Sequence, residues 1–165
     1  MLMRTTLAIA AVFAMGAYAT EVPITGNVES KCTIYTDTVG IYGNPTADVL
    51  STTASDGGVE PRIRYDVVNA GYYSAVITTP TAFSTSPVLD DTVAWTGSVS
   101  VAEVTDPLQS AYDQNKVVYD NTTEVDLSVA GTVWFNVSST ATYGVNKSLP
   151  GGQYRAIVTA ECIAN

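Results

Sequence analysis

The hydrophobic positions of this chain alternate with polar ones over a long run near its start. Across positions 21–34 every second residue is small or apolar, and the residues between them are mostly polar. A period of two predicts a β-strand with one face toward a protein interior. Such a strand would extend about 45 Å, whereas ordinary strands extend about 17–20 Å. We therefore expect the second half of the run to belong to the domain and the first half to reach elsewhere. The small or apolar positions are Val22, Ile24, Gly26, Val28, Ser30, Cys32 and Ile34.

Shorter strand patterns follow, separated by turn signals. A turn signal at 69–71 suggests that the strands at 62–68 and 72–78 form a hairpin. A short helical turn fits within 106–115. Many short strands with turns between them predict an all-β chain, a β-sandwich of immunoglobulin-like type, with Trp95 and Trp134 in its core. The other predicted strands are 92–101, 116–119, 124–130 and 132–137.

The last predicted strand, 153–163, also alternates, and no strand pattern follows it. We expect it to lie at an open sheet edge, which is normally an aggregation liability. Its small residues, Ala156 and Ala160, would leave space in the core beneath. The N-terminal half of the first run thus has no evident place in the domain, whereas the C-terminal strand lacks a partner on one side. The face predicted to point inward carries Tyr154, Ala156, Val158, Ala160 and Cys162.

Two arrangements resolve this mismatch. The N-terminal strand can fill the edge of its own domain, with a bend at Gly26, or it can fill the edge of the next molecule by β-strand addition. The second arrangement repeats head to tail and makes an open filament. The absence of a turn signal within 21–34 favours the second arrangement.

The first nineteen residues have the pattern of a secretory signal peptide. Arg4 precedes an apolar stretch at 7–14, and Ala17-Tyr18-Ala19 is a small-x-small cleavage site. The apolar stretch is too short to span a bilayer. We expect export and a mature chain that begins near Thr20. Its 146 residues suit one domain.

Charge and composition narrow the function. The mature chain has 6 basic and 16 acidic residues, and its net charge of −10 argues against nucleic acid as a partner. In an exported protein the two cysteines, Cys32 and Cys162, favour a disulfide. The chain has no histidine, and no spacing suggests a catalytic or metal site, so we expect neither an enzyme nor a cofactor. The adjacent carboxylates Asp90 and Asp91 are interpreted as a solvated loop.

The two ends of the mature chain resemble a known family. The motifs are EVPITGNVE at 21–29 and LPGGQYRAIV at 149–158. They resemble pilins of the chaperone–usher pathway, and most of all the major subunits of class 5 (colonization-factor) fimbriae. Subunits of that class generally lack a disulfide, and many other chaperone–usher pilins bridge their first two strands. A bridge between the first and last strands differs from both patterns.

The resemblance implies an incomplete immunoglobulin-like β-sandwich that is completed by the N-terminal donor strand of a neighbouring subunit. Residues 1–19 would be the signal peptide, 20–28 the donor strand and 29–165 the pilin domain. A periplasmic chaperone and an outer-membrane usher would assemble copies of the chain into a cell-surface pilus. By the same resemblance Val22, Ile24 and Val28 would be donor side chains, and Gly26 would pass a crowded point. Tyr154, Ala156, Val158 and Ala160 would line the acceptor edge.

A different kind of protein fits the same residues. The chain could be a secreted monomeric β-sandwich that binds a host or surface glycan, with its N-terminal strand folded back. Trp95 and Trp134, with ten tyrosines, could form a stacking surface in that case.

Overall fold

The structure is a computed structural model that describes residues 24–25 and 31–165. The predicted signal peptide and most of the predicted donor strand lie outside these residues. The described chain forms twelve strands, two 3₁₀ turns and one short helix. The strands are β1 (Cys32–Thr38), β2 (Gly43–Thr46), β3 (Val49–Ser51), β4 (Arg62–Val67), β5 (Tyr73–Thr78), β6 (Phe83–Thr85), β7 (Val93–Val104), β8 (Val117–Tyr119), β9 (Thr122–Asp126), β10 (Gly131–Tyr143), β11 (Arg155–Ala156) and β12 (Thr159–Ala164); α1 is Tyr112–Asn115, and the 3₁₀ turns are Ala54–Asp56 and Pro107–Ala111.

The strands form two main antiparallel sheets and one small one. In the first sheet, the 13-residue β10 is the central strand: β4 and β3 pair with successive parts of it on one side, and β7 pairs along the other. β1 adds to β4, and β2 adds to β3. The second sheet has the order β12-β5-β9-β8. β11 pairs with β6 in a two-stranded sheet. The chain is therefore all-β, as its alternation predicts.

The core lies between the two main sheets, which gives the molecule a sandwich-like architecture. Tyr65 of β4 and Phe135 of β10 come from the first sheet, and their rings meet edge to face with centroids 5.7 Å apart. Ile77 of β5 and Leu127 after β9 come from the second sheet and are fully buried. Both sets belong to one continuous apolar cluster. Alternation places these side chains on the inner face of each strand.

The predicted hairpin between β4 and β5 is wrong, because the two strands lie in different sheets. The turn between them carries the chain across the sandwich instead. Val68 N donates to Lys31 O beside the first sheet, and Gly71 N donates to Leu127 O beside the second. Alternation alone cannot separate the two cases, because both strands present one apolar face to the same core.

The predicted strand boundaries need further corrections. β7 and β10 are longer than their patterns indicate, and the C-terminal strand is interrupted between β11 and β12. β2, β3 and β6 were not predicted, whereas the short helical turn at 106–115 is present. Among the described residues, no helix is long and apolar enough to cross a membrane.

Candidate functional site

A long groove lies between β1 on one side and β11 and β12 on the other. Its volume is about 790 Å³. β1 forms one edge of the first sheet and β12 forms one edge of the second, so the groove is the open side of the sandwich. The walls are Ile34, Thr36 and Thr38 from β1 and Tyr154, Arg155, Ala156, Ile157, Val158 and Ala160 from the C-terminal segment.

Within the described part of the chain, both walls of the groove include a strand edge that could accept a further strand. Among the described strands, β1 pairs only with β4, and β12 pairs only with β5. Each strand therefore has one side without a ladder partner, and these sides flank the same opening. Such an edge is a template for pairing with another chain. The groove offers two edges to one incoming strand.

The alternation predicted for the last strand is confirmed in its burial. Tyr154, Ala156, Val158 and Ala160 are half-buried and line the groove, whereas the residues between them are exposed. Tyr154 is fixed at both ends: its hydroxyl donates to Pro150 O at 2.7 Å, and its ring meets Phe83 with centroids 5.0 Å apart. The four residues predicted to form an acceptor edge thus lie along one wall.

The floor of the groove is an opening in the hydrophobic core. Leu50 and Ile63 retain 8% and 7% of their exposure, more than any other apolar residue of the described core, and both line the groove. Full cover of such side chains is favourable by about 25 cal/mol for each Å² removed from water. An apolar occupant would therefore be stabilised here.

Polar groups on the floor already have partners. Tyr42 Oη and Ser139 Oγ are 3.0 Å apart, and Ser139 N donates to Thr52 Oγ1 at 2.8 Å. Burial raises the pKa of Tyr42, so its hydroxyl stays neutral. Among the described lining residues only Arg155 is charged, and it is exposed. The groove therefore suits uncharged side chains.

A disulfide joins the two walls at one end of the groove. Cys32, the first residue of β1, is bonded to Cys162 in β12, with their Cα atoms 6.4 Å apart and a sequence separation of 130. This confirms the pairing that the sequence favours. Beside it, Tyr65 of β4 reaches across the core and donates to Glu161 O at 3.2 Å. The two sheets are therefore tied together at this end.

Of the four predicted donor residues, the structure describes only Ile24. Ile24 is 98% exposed. Val22, Gly26 and Val28 lie outside the described residues. Their role as donor side chains stays a prediction.

The adjacent carboxylates Asp90 and Asp91 lie in an exposed loop and form ion pairs. Lys147 Nζ is 3.1 Å from Asp90 Oδ1 and 3.3 Å from Asp91 Oδ2, and the Tyr143 hydroxyl also donates to Asp90. The hydrogen bond from Tyr143 and the nearby Lys147 lower the pKa of Asp90. In the described part of the chain, no group of three or more His, Cys, Asp or Glu residues could hold a metal ion.

Neither tryptophan lies in the fully buried core, so that prediction is wrong. Trp134 is on the outer face of β10, and the Arg62 guanidinium covers it at 5.4 Å from the ring centroid. Trp95 packs against Phe83 with centroids 4.7 Å apart. Trp95 also borders a shallow cavity of about 410 Å³ whose other walls include Thr79, Thr81, Asp120 and Asn121.

Comparisons with protein-family models, with curated proteins and with solved structures gave no match.

Proposed function

We propose that the protein is a structural subunit of an extracellular bacterial pilus and that it polymerises head to tail by donor-strand exchange. The observation that carries this proposal is the groove, where two unpaired strand edges face each other over an opening in the core. Among the described residues, this architecture leaves two strand edges without a partner and the core residues Leu50 and Ile63 incompletely covered. A strand from a second copy would cover both.

The chain contains a segment of suitable length. Residues 20–30 precede β1 and, if extended, span about 36 Å, whereas the seven-residue β1 spans about 23 Å. In this proposal Val22, Ile24 and Val28 place their side chains in the groove, and Gly26 passes a crowded point. Burying three aliphatic side chains is worth about 1.5–3 kcal/mol each. Backbone hydrogen bonds to the edges add about 0.5–1.5 kcal/mol each.

The finer features of the proposal follow from the same arrangement. The sandwich would be of immunoglobulin-like type and incomplete, with Tyr154, Ala156, Val158 and Ala160 as its acceptor edge. Before assembly the exposed groove would need a periplasmic chaperone, and an outer-membrane usher would export the fibre. The family resemblance of the two chain ends supports these partners and the surface location.

The first experiment compares wild type with Ile24→Asp by denaturing gel electrophoresis, with and without boiling. We expect wild type to show a ladder of multimers that collapses to one band on heating, because trapped strands dissociate slowly. Ile24→Asp would place a charge in an uncharged groove and should abolish the ladder. Thr25→Asp is the matched control, because it adds the same charge on the opposite strand face and should preserve the ladder. Normal multimers from Ile24→Asp would overturn the donor-strand assignment.

A second candidate function is glycan binding by a monomer whose N-terminal strand folds back. The cavity beside Trp95 favours it, because Trp95 lines this cavity together with Asp120 and Asn121, and such a set offers both stacking and hydrogen bonds. A monomer in both gel lanes, with glycan-array binding that Trp95→Ala abolishes, would support this candidate. The covered face of Trp134 argues against a second stacking site there.

A further inference from the structure

Among the described strands, the longest sheet edge is that of β7, which does not border the groove. β7 has twelve residues and, among the described strands, pairs only with β10. Its other side is a far longer template than β1 or β12. The other outer strands are poor templates: β8 has three residues, and β2 has four, one of which is Pro45. Something must therefore prevent strand addition at β7.

Two side chains from the helical segment occupy the middle of this edge. Lys116 Nζ donates to Val99 O at 2.5 Å, and Val101 N donates to Asp113 Oδ1 at 3.0 Å. Lys116 Nζ and Asp113 Oδ1 are also 3.0 Å apart, so the two side chains form an ion pair over the strand. The Val99 carbonyl and the Val101 amide of β7 therefore already have hydrogen-bond partners.

These groups are the ones that an added strand would use. In an antiparallel ladder, a strand edge offers the carbonyl of one residue and the amide of the residue two positions later. Lys116 supplies a donor to the first, and Asp113 supplies an acceptor to the second. The two side chains therefore make the hydrogen bonds that the backbone of a neighbouring strand would make, but they do not form a new strand edge.

The segment that carries the pair is firmly held. Asp106 caps the turn before α1, where its side chain accepts from Leu108 N at 2.9 Å. The buried Gln109 accepts from Thr105 N at 3.2 Å. Tyr112 is 3% exposed, and its hydroxyl accepts from Val129 N at 3.0 Å. Asp113 and Lys116 therefore remain beside β7 without depending on each other alone.

We propose that Asp113 and Lys116 are specificity-determining residues for strand addition: they block the β7 edge, so that an incoming strand of a second copy pairs in the groove. The blocking of β7 stands on the contacts above. Only the claim that incoming strands then pair in the groove rests on the proposed function.

The test uses the mature chain, residues 20–165, with Ile24→Asp so that its own strand is excluded from the groove. Asp113→Ala/Lys116→Ala is compared with Gln114→Ala/Asn115→Ala, which truncates two exposed side chains of the same helix. Size-exclusion chromatography with light scattering and thioflavin T fluorescence are followed over time at equal protein concentration. We expect the Asp113→Ala/Lys116→Ala variant to associate about tenfold faster than the control, because two backbone groups become free to pair.

Far-UV circular dichroism and amide hydrogen exchange show whether the effect is local. The Val101 amide should exchange about tenfold faster in the monomeric Asp113→Ala/Lys116→Ala variant, with the core amides unchanged. A folded Asp113→Ala/Lys116→Ala variant that stays monomeric like the Gln114→Ala/Asn115→Ala control overturns the proposal. If the Asp113→Ala/Lys116→Ala variant unfolds, the single Lys116→Ala is measured, and its failure to speed association also overturns the proposal. A multimer ladder in the Ile24→Asp parent would instead count against the proposed function, and the comparison between variants would still stand.

Discussion

Lys147 holds a loop against the end of β10 through two carboxylates. Its ammonium group lies within 3.3 Å of both Asp90 and Asp91, and Tyr143, the last residue of β10, also donates to Asp90. The side chains of Asp90, Asp91 and Lys147 are partly or largely exposed, so each ion pair is weak by itself, whereas Tyr143 is buried. Together these contacts hold residues 90–91 at the end of β10, just before β7 begins.

This cluster predicts a pH-dependent contribution to stability. The pKa of Asp90 is lowered from its ordinary value of 3.8, first by the hydrogen bond from Tyr143 and then by Lys147. A lowered folded-state pKa gives stability that is complete above pH 3.8 and is lost as the pH falls through the folded value. Asp90→Asn should therefore lower the urea midpoint at pH 7, and the difference from wild type should shrink as the pH falls below 3.8.

Asp120→Asn is the control for this measurement, since it removes an exposed carboxylate from the turn between β8 and β9. It should lower the midpoint at pH 7 less than Asp90→Asn does. An Asp90→Asn effect of equal size at pH 7 and pH 2 would contradict the electrostatic explanation.

At the scale of strands, alternation predicts faces well and partners poorly. The inward face of the last strand follows from its sequence. Small and polar residues alternate along it, and only one of its two faces can pack against the core. The pairing partner of β5 does not follow from the sequence. The same turn residues can join two strands of one hairpin or carry the chain to the other sheet. The four-residue β2, with Asn44 and Pro45, has almost no strand signal. It forms because β3 supplies its partner and because Asn44 donates to Thr46 O and Val49 O.

The disulfide between the first and last strands should contribute strongly to stability. It closes a loop of 130 residues, so its loss increases the conformational entropy of the unfolded chain. Cys32→Ser/Cys162→Ser should lower the free energy of unfolding by about 2–5 kcal/mol. Urea denaturation of wild type, the double serine variant and reduced wild type measures the change. Equal unfolding free energies for the oxidised and serine proteins would show that β1 and β12 are held by packing alone.

The whole molecule has one side open and the opposite side blocked. The sequence predicts part of the open side, because the small inward residues Ala156 and Ala160 of the last strand leave space beneath it. The blocked side is invisible in the sequence. Asp113 and Lys116 look like ordinary surface charges at i and i+3, and only the placement of α1 along β7 reveals their contacts. The choice between folding back and exchange depends on a second chain, which no intrachain pattern encodes.

In the fibre that we propose, the position of the disulfide would have a mechanical consequence under tension. A pull on the N-terminal segment reaches the domain at Cys32, and the covalent bond passes it directly to Cys162 in the groove wall. The force then runs along the groove to the strand of the neighbouring subunit, and the 130-residue loop is bypassed. Reduction would place that loop in series and let each subunit lengthen by about 450 Å at full extension. An oxidised filament should thus behave as a chain of short, stiff links, and a reduced one as an extensible tether.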